Sequence, residues 1–175
     1  MKNLLRRTRR KLRGLDDKDD NINVHKARQY ALKLLSYRGR SEKELVERLR
    51  RKGFTEPLVS STINYLKHAG LIDDRALAEF LKTKALTTKL LGQKGVRRFL
   101  LDSGIPREIV DLELSHSENE DSENAKILVE KKLKTLRNCS SETAKRRLYN
   151  LLFRRGYSFD TIKKILKNKN VTEED

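Results

Sequence analysis

Gly53, Gly104 and Gly156 stand 51 and 52 residues apart, and the sequence around each can be laid over the others. Four residues before each glycine is Leu49, Leu100 or Leu152, and eight before is Leu45, Val96 or Leu148. Directly after it comes Phe54, Ile105 or Tyr157. Six after stands Val59, Val110 or Ile162, and ten after stands Ile63, Leu114 or Leu166. Five aligned columns, apolar in every copy, are hard to obtain by chance in a chain that is 36% hydrophobic. A period near fifty residues is the mark of tandem helical units, each burying its apolar face against its own helices and its neighbours.

Each copy spells out three helices. In the first, Ala27, Tyr30, Ala31 and Leu34 recur at three- and four-residue steps, the period of one buried stripe. Ser41 and Glu44 form a capping box that opens a second helix carrying Leu45 and Leu49, and Gly53 closes it. A third helix begins near Glu56-Pro57, where proline suits the first turn, and runs through Val59, Ile63 and Leu66 to Gly70. The opening helix of the second unit runs from Asp73 with Leu77, Phe80, Leu81 and Leu86 as its stripe. That of the third follows Asn119–Asn124 and carries Ala125, Leu128, Val129 and Leu136.

No segment sustains the alternation of a half-buried strand, and eight Gly with two Pro supply few tight turns. The expected fold is therefore all-α: an elongated array of three tandem three-helix repeats. The expected boundaries are a basic-then-acidic arm at 1–23, repeats at 24–72 and 73–114, a polar linker at 115–124, and a third repeat with a short tail at 125–175.

Catalytic and metal chemistry find little material. His25, His68, His116 and Cys139 are scattered without metal-ligand spacing, and are expected as surface residues. Gly92-Gln93-Lys94-Gly95 lacks the rest of a phosphate loop and reads as a helix start. Asp73-Asp74 reads as a cap at a positive helix end, since a pair of acids alone is too few ligands for a cation. No enzyme and no cofactor are expected. One cysteine suits a reducing compartment, no apolar run is long enough to span a membrane, and the expected location is cytoplasmic.

Charge is the informative signal. Forty-one Lys and Arg against 25 Asp and Glu leave +16, which points to a polyanionic partner. The surplus is uneven: residues 24–72 carry eleven basic and four acidic side chains, residues 73–114 eight and seven, residues 115–175 fourteen and ten. It gathers on the second helices and their ends. The candidate binding face comprises Arg40, Arg48, Arg51, Lys52, Arg98, Arg146, Arg147, Arg154 and Arg155. With Leu148 inward at 0°, a 100° step places Arg147 at about 260° and Arg154 at about 240°, away from the core. Arg51 takes the matching angle in the first unit, and Arg98 falls at about 200° in the second. Tyr37, Tyr149 and Phe153 lie beside these cations and are candidates for base stacking, although core packing is the simpler expectation for most of them.

The pattern resembles the RecX family, bacterial regulators of the RecA recombinase. In the first unit the resemblance is carried by Arg38-x-Arg40-Ser41-x-x-Glu44-Leu45-x-x-Arg48-Leu49-x-x-Lys52-Gly53-Phe54 and by Gly70-Leu71-Ile72-Asp73-Asp74-x-x-Leu77-Ala78. The second contributes Gly92-x-x-x-Val96, Leu100 and Gly104-Ile105, the third Leu152-Phe153-Arg154-Arg155-Gly156-Tyr157 with Ile162. It covers roughly residues 24–168, and departs from the family's usual aromatic at Leu77. The resemblance implies a protein lying along the groove of the RecA–DNA filament. There it would inhibit strand exchange, ATP hydrolysis and co-protease activity, modulating recombination, DNA repair and the SOS response. It also implies weaker binding to single- and double-stranded DNA. A monomer without membrane contact is expected. Two other classes fit the residues alone: a stand-alone helical DNA-binding protein of helix-turn-helix type, and a scaffold for acidic proteins.

Overall fold

The computed structural model describes residues 22–115 and 121–168, and every regular element among them is a helix. The first, α1, spans residues 22–37. It is followed by α2 (Glu42–Arg51), α3 (Glu56–His68), α4 (Asp74–Thr87), α5 (Gln93–Asp102) and α6 (Arg107–Leu114). The series ends with α7 (Asp121–Leu133), α8 (Ser141–Arg154) and α9 (Phe159–Asn168). None of them is long and apolar enough to cross a membrane. The fold is an all-α helical repeat array. Of the N-terminal segment 1–23, only residues 22 and 23 are described, and they begin α1.

The tripled glycine ends a helix in the same way each time. Gly53, Gly104 and Gly156 have φ of +95°, +83° and +84°, the left-handed conformation that costs glycine least. The next residue then turns back: the amides of Phe54, Ile105 and Tyr157 donate to the carbonyls of Leu49, Leu100 and Leu152 at 3.2–3.3 Å. This is the Schellman closure, which brings the residue after the glycine onto the leucine four before it. Both columns read from the sequence are two ends of this one contact.

Three apolar clusters follow. In the first bundle Ala27, Ala31 and Leu34 of α1 pack with Leu45 and Leu49 of α2 and with Val59, Ile63 and Leu66 of α3. In the second, Ala78 and Ala85 of α4 meet Val96, Leu100, Ile105, Val110 and Leu114. In the third, Ala125, Leu128 and Val129 of α7 meet Leu148, Leu152, Tyr157, Ile162, Ile165 and Leu166.

Three details differ from the sequence reading. Phe80 is 63% exposed, because α4 seats on its neighbours through Ala78 and Ala85 and leaves its larger residues to the flanks or to solvent. Leu136 is buried, but from the turn beyond the end of α7. Residues 121–124, read as part of a linker, form the first turn of α7, while 116–120 lie outside the described residues.

The chain divides into two compact units, one holding α1–α3 and the other α4–α9. Within the second unit, the second and third bundles are joined through their backbones. The free amides at the start of α5 find acceptors on the third bundle. Gly92 donates to the Arg155 carbonyl at 3.0 Å, Lys94 to the Gly156 carbonyl at 3.1 Å, and Gln93 to the Asp121 carboxylate at 3.1 Å. A helix start normally satisfies such groups with its own cap or with water. The Tyr157 hydroxyl donates to the Leu90 carbonyl at 3.0 Å, and Leu90, at φ +47°, inserts its side chain into the third core.

Candidate functional site

The predicted basic residues fall into two groups once their partners are seen. Arg40 is turned inward, its side chain 8% exposed. Its Nε donates to the Leu34 carbonyl at 3.0 Å, satisfying the C-terminal end of α1, and its Nη1 pairs with Glu44. Arg48 shares the same Glu44 oxygen at 3.3 Å, as does Arg38 at 2.7 Å. Partial burial alone would raise the Glu44 carboxyl. The charges and hydrogen bonds of Arg38 and Arg40 outweigh it and hold the group below its ordinary range. Ser41 Oγ accepts from the Glu44 amide at 3.2 Å, as a capping box requires. The motif that begins the first repeat thus ties α1 to α2.

Elsewhere in the first bundle, cations are offset by acids on the surface. Arg50 grips Glu56 through two nitrogens at 2.7 and 2.9 Å, and Arg51, 75% exposed, sits 3.8 Å from Glu47. Lys52 places its Nζ 5.8 Å from the centre of the Tyr30 ring. In the second bundle Arg97 meets Asp111 at 2.5 Å, while Arg98 is exposed.

The third bundle is different. Lys145, Arg146, Arg147 and Arg154 are exposed on α8, and among the described residues none of them has a carboxylate within ion-pairing distance. Arg147 Nη1 donates to the thiol sulfur of Cys139 at 3.1 Å, and Arg154 Nε to the Asn150 carbonyl at 3.3 Å. Both retain further N–H donors for a ligand. Arg155, half-buried, donates to the Lys89 carbonyl and so belongs to the joint between bundles. Burial, followed by the Asp121 charge, pushes the neighbouring Tyr157 phenol up, against the opposing effect of Arg155.

Arg147 and Arg154 share a groove of about 590 Å³ with Leu151 and Phe153 of α8, with Lys132 from the last turn of α7 and with Leu136 from the turn beyond it. The sequence reading missed Lys132. Its signal was present, in the basic pair Lys131-Lys132 that follows the buried Leu128-Val129 step after Glu130, but only the packing of α7 on α8 brings it opposite the arginines. The aromatic expectation is corrected here too. Tyr37, Tyr149 and Phe153 are all exposed, and Tyr149 and Phe153 lie nearly parallel at 7°, ring centres 6.3 Å apart. They stand one helical turn apart on a face of α8 that its core residues do not use.

Chemically, this arrangement can hold anions by charge-assisted hydrogen bonds and can offer a flat apolar face beside them. Among the described residues no three His, Cys, Asp or Glu gather as a metal site.

Comparison with known proteins adds an independent finding. Residues 27–66 match the pattern described as RecX, first three-helix domain, and residues 119–166 that of the third three-helix domain. The chain is 34% identical over 161 residues to the regulatory protein RecX of Clostridium botulinum (strain Alaska E43 / Type E3), covering 90% of this chain and 73% of that one. To the regulatory protein RecX of Amycolatopsis mediterranei (strain U-32) it is 35% identical over 133 residues, 75% of this chain and 76% of that one. The crystal structure of RecX from Lactobacillus salivarius resembles this fold with a TM-score of 0.71 at 26% identity, over 87% of this chain and 99% of that one.

Proposed function

The chain belongs to the RecX family of regulatory proteins, and from that premise we propose that it binds the RecA–DNA filament and restrains its recombinase, ATPase and co-protease activities. The observation that carries the reading is the set of unneutralised cations on α8, in a chain of net charge +16. A filament of protein and DNA presents phosphate and acidic surface at regular intervals. A tandem array can meet such a lattice at several points, so that weak contacts add as avidity. The first repeat holds the filament through Arg48, Arg51 and Lys52, and the third through Arg146, Arg147 and Arg154. The second repeat contributes Arg98. Arg40 and Arg155 serve by keeping α1 on α2 and the second bundle on the third.

The protein acts as a cytoplasmic monomer, modulates recombination and the SOS response, and needs no cofactor of its own. Its effect is to change the filament, not to perform a reaction.

The test is RecA ATPase on single-stranded DNA, titrated with this protein beside its binding curve for the same DNA alone. Inhibition at doses well below those that coat free DNA supports filament-specific regulation. Inhibition that begins only when the DNA is saturated overturns it in favour of a stand-alone DNA-binding protein.

A further inference from the structure

The groove between α7 and α8 has a composition that a purely electrostatic face does not need. Phe153 is 65% exposed. At the matching position three residues before the repeat glycine, the first bundle has Arg50, which pairs with Glu56, and the second has Leu101. A large ring left in water on one helix out of three equivalents is a feature of the surface, not a consequence of packing. It is flanked by Arg147 and Arg154, seven residues apart and thus about 10.5 Å along the helix axis. Lys132 closes the opposite wall, while Leu136 and Leu151 give an apolar floor.

We propose that this groove is a binding site for single-stranded nucleic acid, with a base stacked on Phe153 and the adjoining phosphates held by Arg147, Arg154 and Lys132. The charge is complementary, since every ionisable side chain lining the groove is basic. Base stacking on an aromatic face tolerates any sequence, because every base has such a face. Duplex DNA hides its base faces in its own stack, so the ring selects for single strands. An acidic peptide would satisfy the cations but give the ring nothing. Arg147 and Arg154 are common to this site and to the filament reading, whereas Phe153 and Lys132 belong to this site alone.

The chain contains no Trp, so Phe153→Trp provides a single reporter inside the groove. Full-length protein carrying it is titrated with an oligothymidylate, an abasic oligomer of equal length, heparin and polyglutamate. Quenching by the oligothymidylate alone is the expected result. In parallel, Phe153→Ala should lose about 5- to 150-fold in affinity for the oligothymidylate, the range for one stacked base, and keep its affinity for the abasic strand. Arg147→Ala and Arg154→Ala should each reduce the salt slope of binding by about 0.7. Equal quenching by heparin or the abasic strand would reduce the groove to a charged patch, and quenching by polyglutamate would assign it to acidic protein. Either overturns the proposal, as does wild-type oligothymidylate binding by Phe153→Ala. RecA ATPase inhibition by the same variant separates the two readings, since a Phe153→Ala protein that still inhibits leaves filament regulation untouched.

Discussion

Gly156 and Gly95 lie main chain against main chain: a Cβ on Gly156 would overlap the backbone of Gly95, and one on Gly95 would overlap the Arg155 carbonyl. Gly92 is as close, with a Cβ there 2.7 Å from the Tyr157 backbone. Nothing larger than hydrogen fits where the second and third bundles meet. The backbones therefore approach closely enough to hydrogen-bond directly across the joint, with the Leu90, Tyr157, Asp121 and Arg155 side chains packed or bonded around them.

This contact reverses an ordinary expectation. Gly95 lies in the first turn of α5, where alanine would normally stabilise a helix by about 1 kcal/mol. Gly95→Ala should instead destabilise the α4–α9 unit by about 2–4 kcal/mol. In hydrogen exchange the amides of Gly92, Gln93 and Lys94 should lose protection first. Gly53 is the control, with its φ of +95° but nothing within 4 Å of an added Cβ. Gly53→Ala should cost only the backbone strain, about 1–2 kcal/mol. If the two variants melt alike, the joint is looser than described.

How far the sequence reveals this can be traced residue by residue. The Schellman columns are legible because a left-handed glycine and its apolar successor are local, and the repeat prints them three times. The Gly92–Gly95 pair is legible only as a helix start, since its real partner lies some sixty residues away and leaves no local trace. Phe80 misleads because periodicity assumes that the largest residues face the core, whereas Ala78 and Ala85 do so where helices approach closely. Arg40 looks the same in sequence as Arg51. One satisfies a helix end from within and the other stands in water, a difference set by where α1 stops.

That difference between arginines is measurable. Arg40→Ala strands the Leu34 carbonyl and removes one cation from the half-buried Glu44, for a loss of about 2–3 kcal/mol in the first bundle. Arg51→Ala should stay within about 0.5 kcal/mol of wild type. Urea melts of the two variants are the check, and a neutral Arg40→Ala would show that its pairing adds nothing.

The Glu44 cluster also fixes the sign of an acid effect. Its carboxyl is held below its ordinary range in the folded state. The unfolded chain therefore binds the proton more readily, and the cluster's contribution is complete above the unfolded value. It is lost as pH falls through the folded value. Stability of the first bundle should decline on acidification below the usual carboxylate range, and Glu44→Gln should flatten that decline while lowering stability at neutral pH. Glu56, also lowered chiefly by its Arg50 hydrogen bond, is exposed on the surface, so Glu56→Gln should leave the acid limb nearly as it was. Equal acid limbs in wild type and Glu44→Gln would remove the cluster from this role.

The filament reading makes its own demand on one arginine of the first repeat and one of the third. Arg51 is three-quarters exposed, with a weak 3.8 Å pairing, and Arg154 is exposed with no acid partner among the described residues. Reversing both, as Arg51→Glu with Arg154→Glu, should leave the melting temperature within a few degrees of wild type, because neither side chain supports a core. It should raise the dose needed to inhibit RecA ATPase by tenfold or more, on the order of 1.4 kcal/mol of binding, with a shallower dependence on salt. Glu47 gives the matching probe within the first bundle. Glu47→Gln releases Arg51 from its partner and should strengthen inhibition slightly, most visibly at low ionic strength. Inhibition by the double reversal at the normal dose would take both residues off the contact surface.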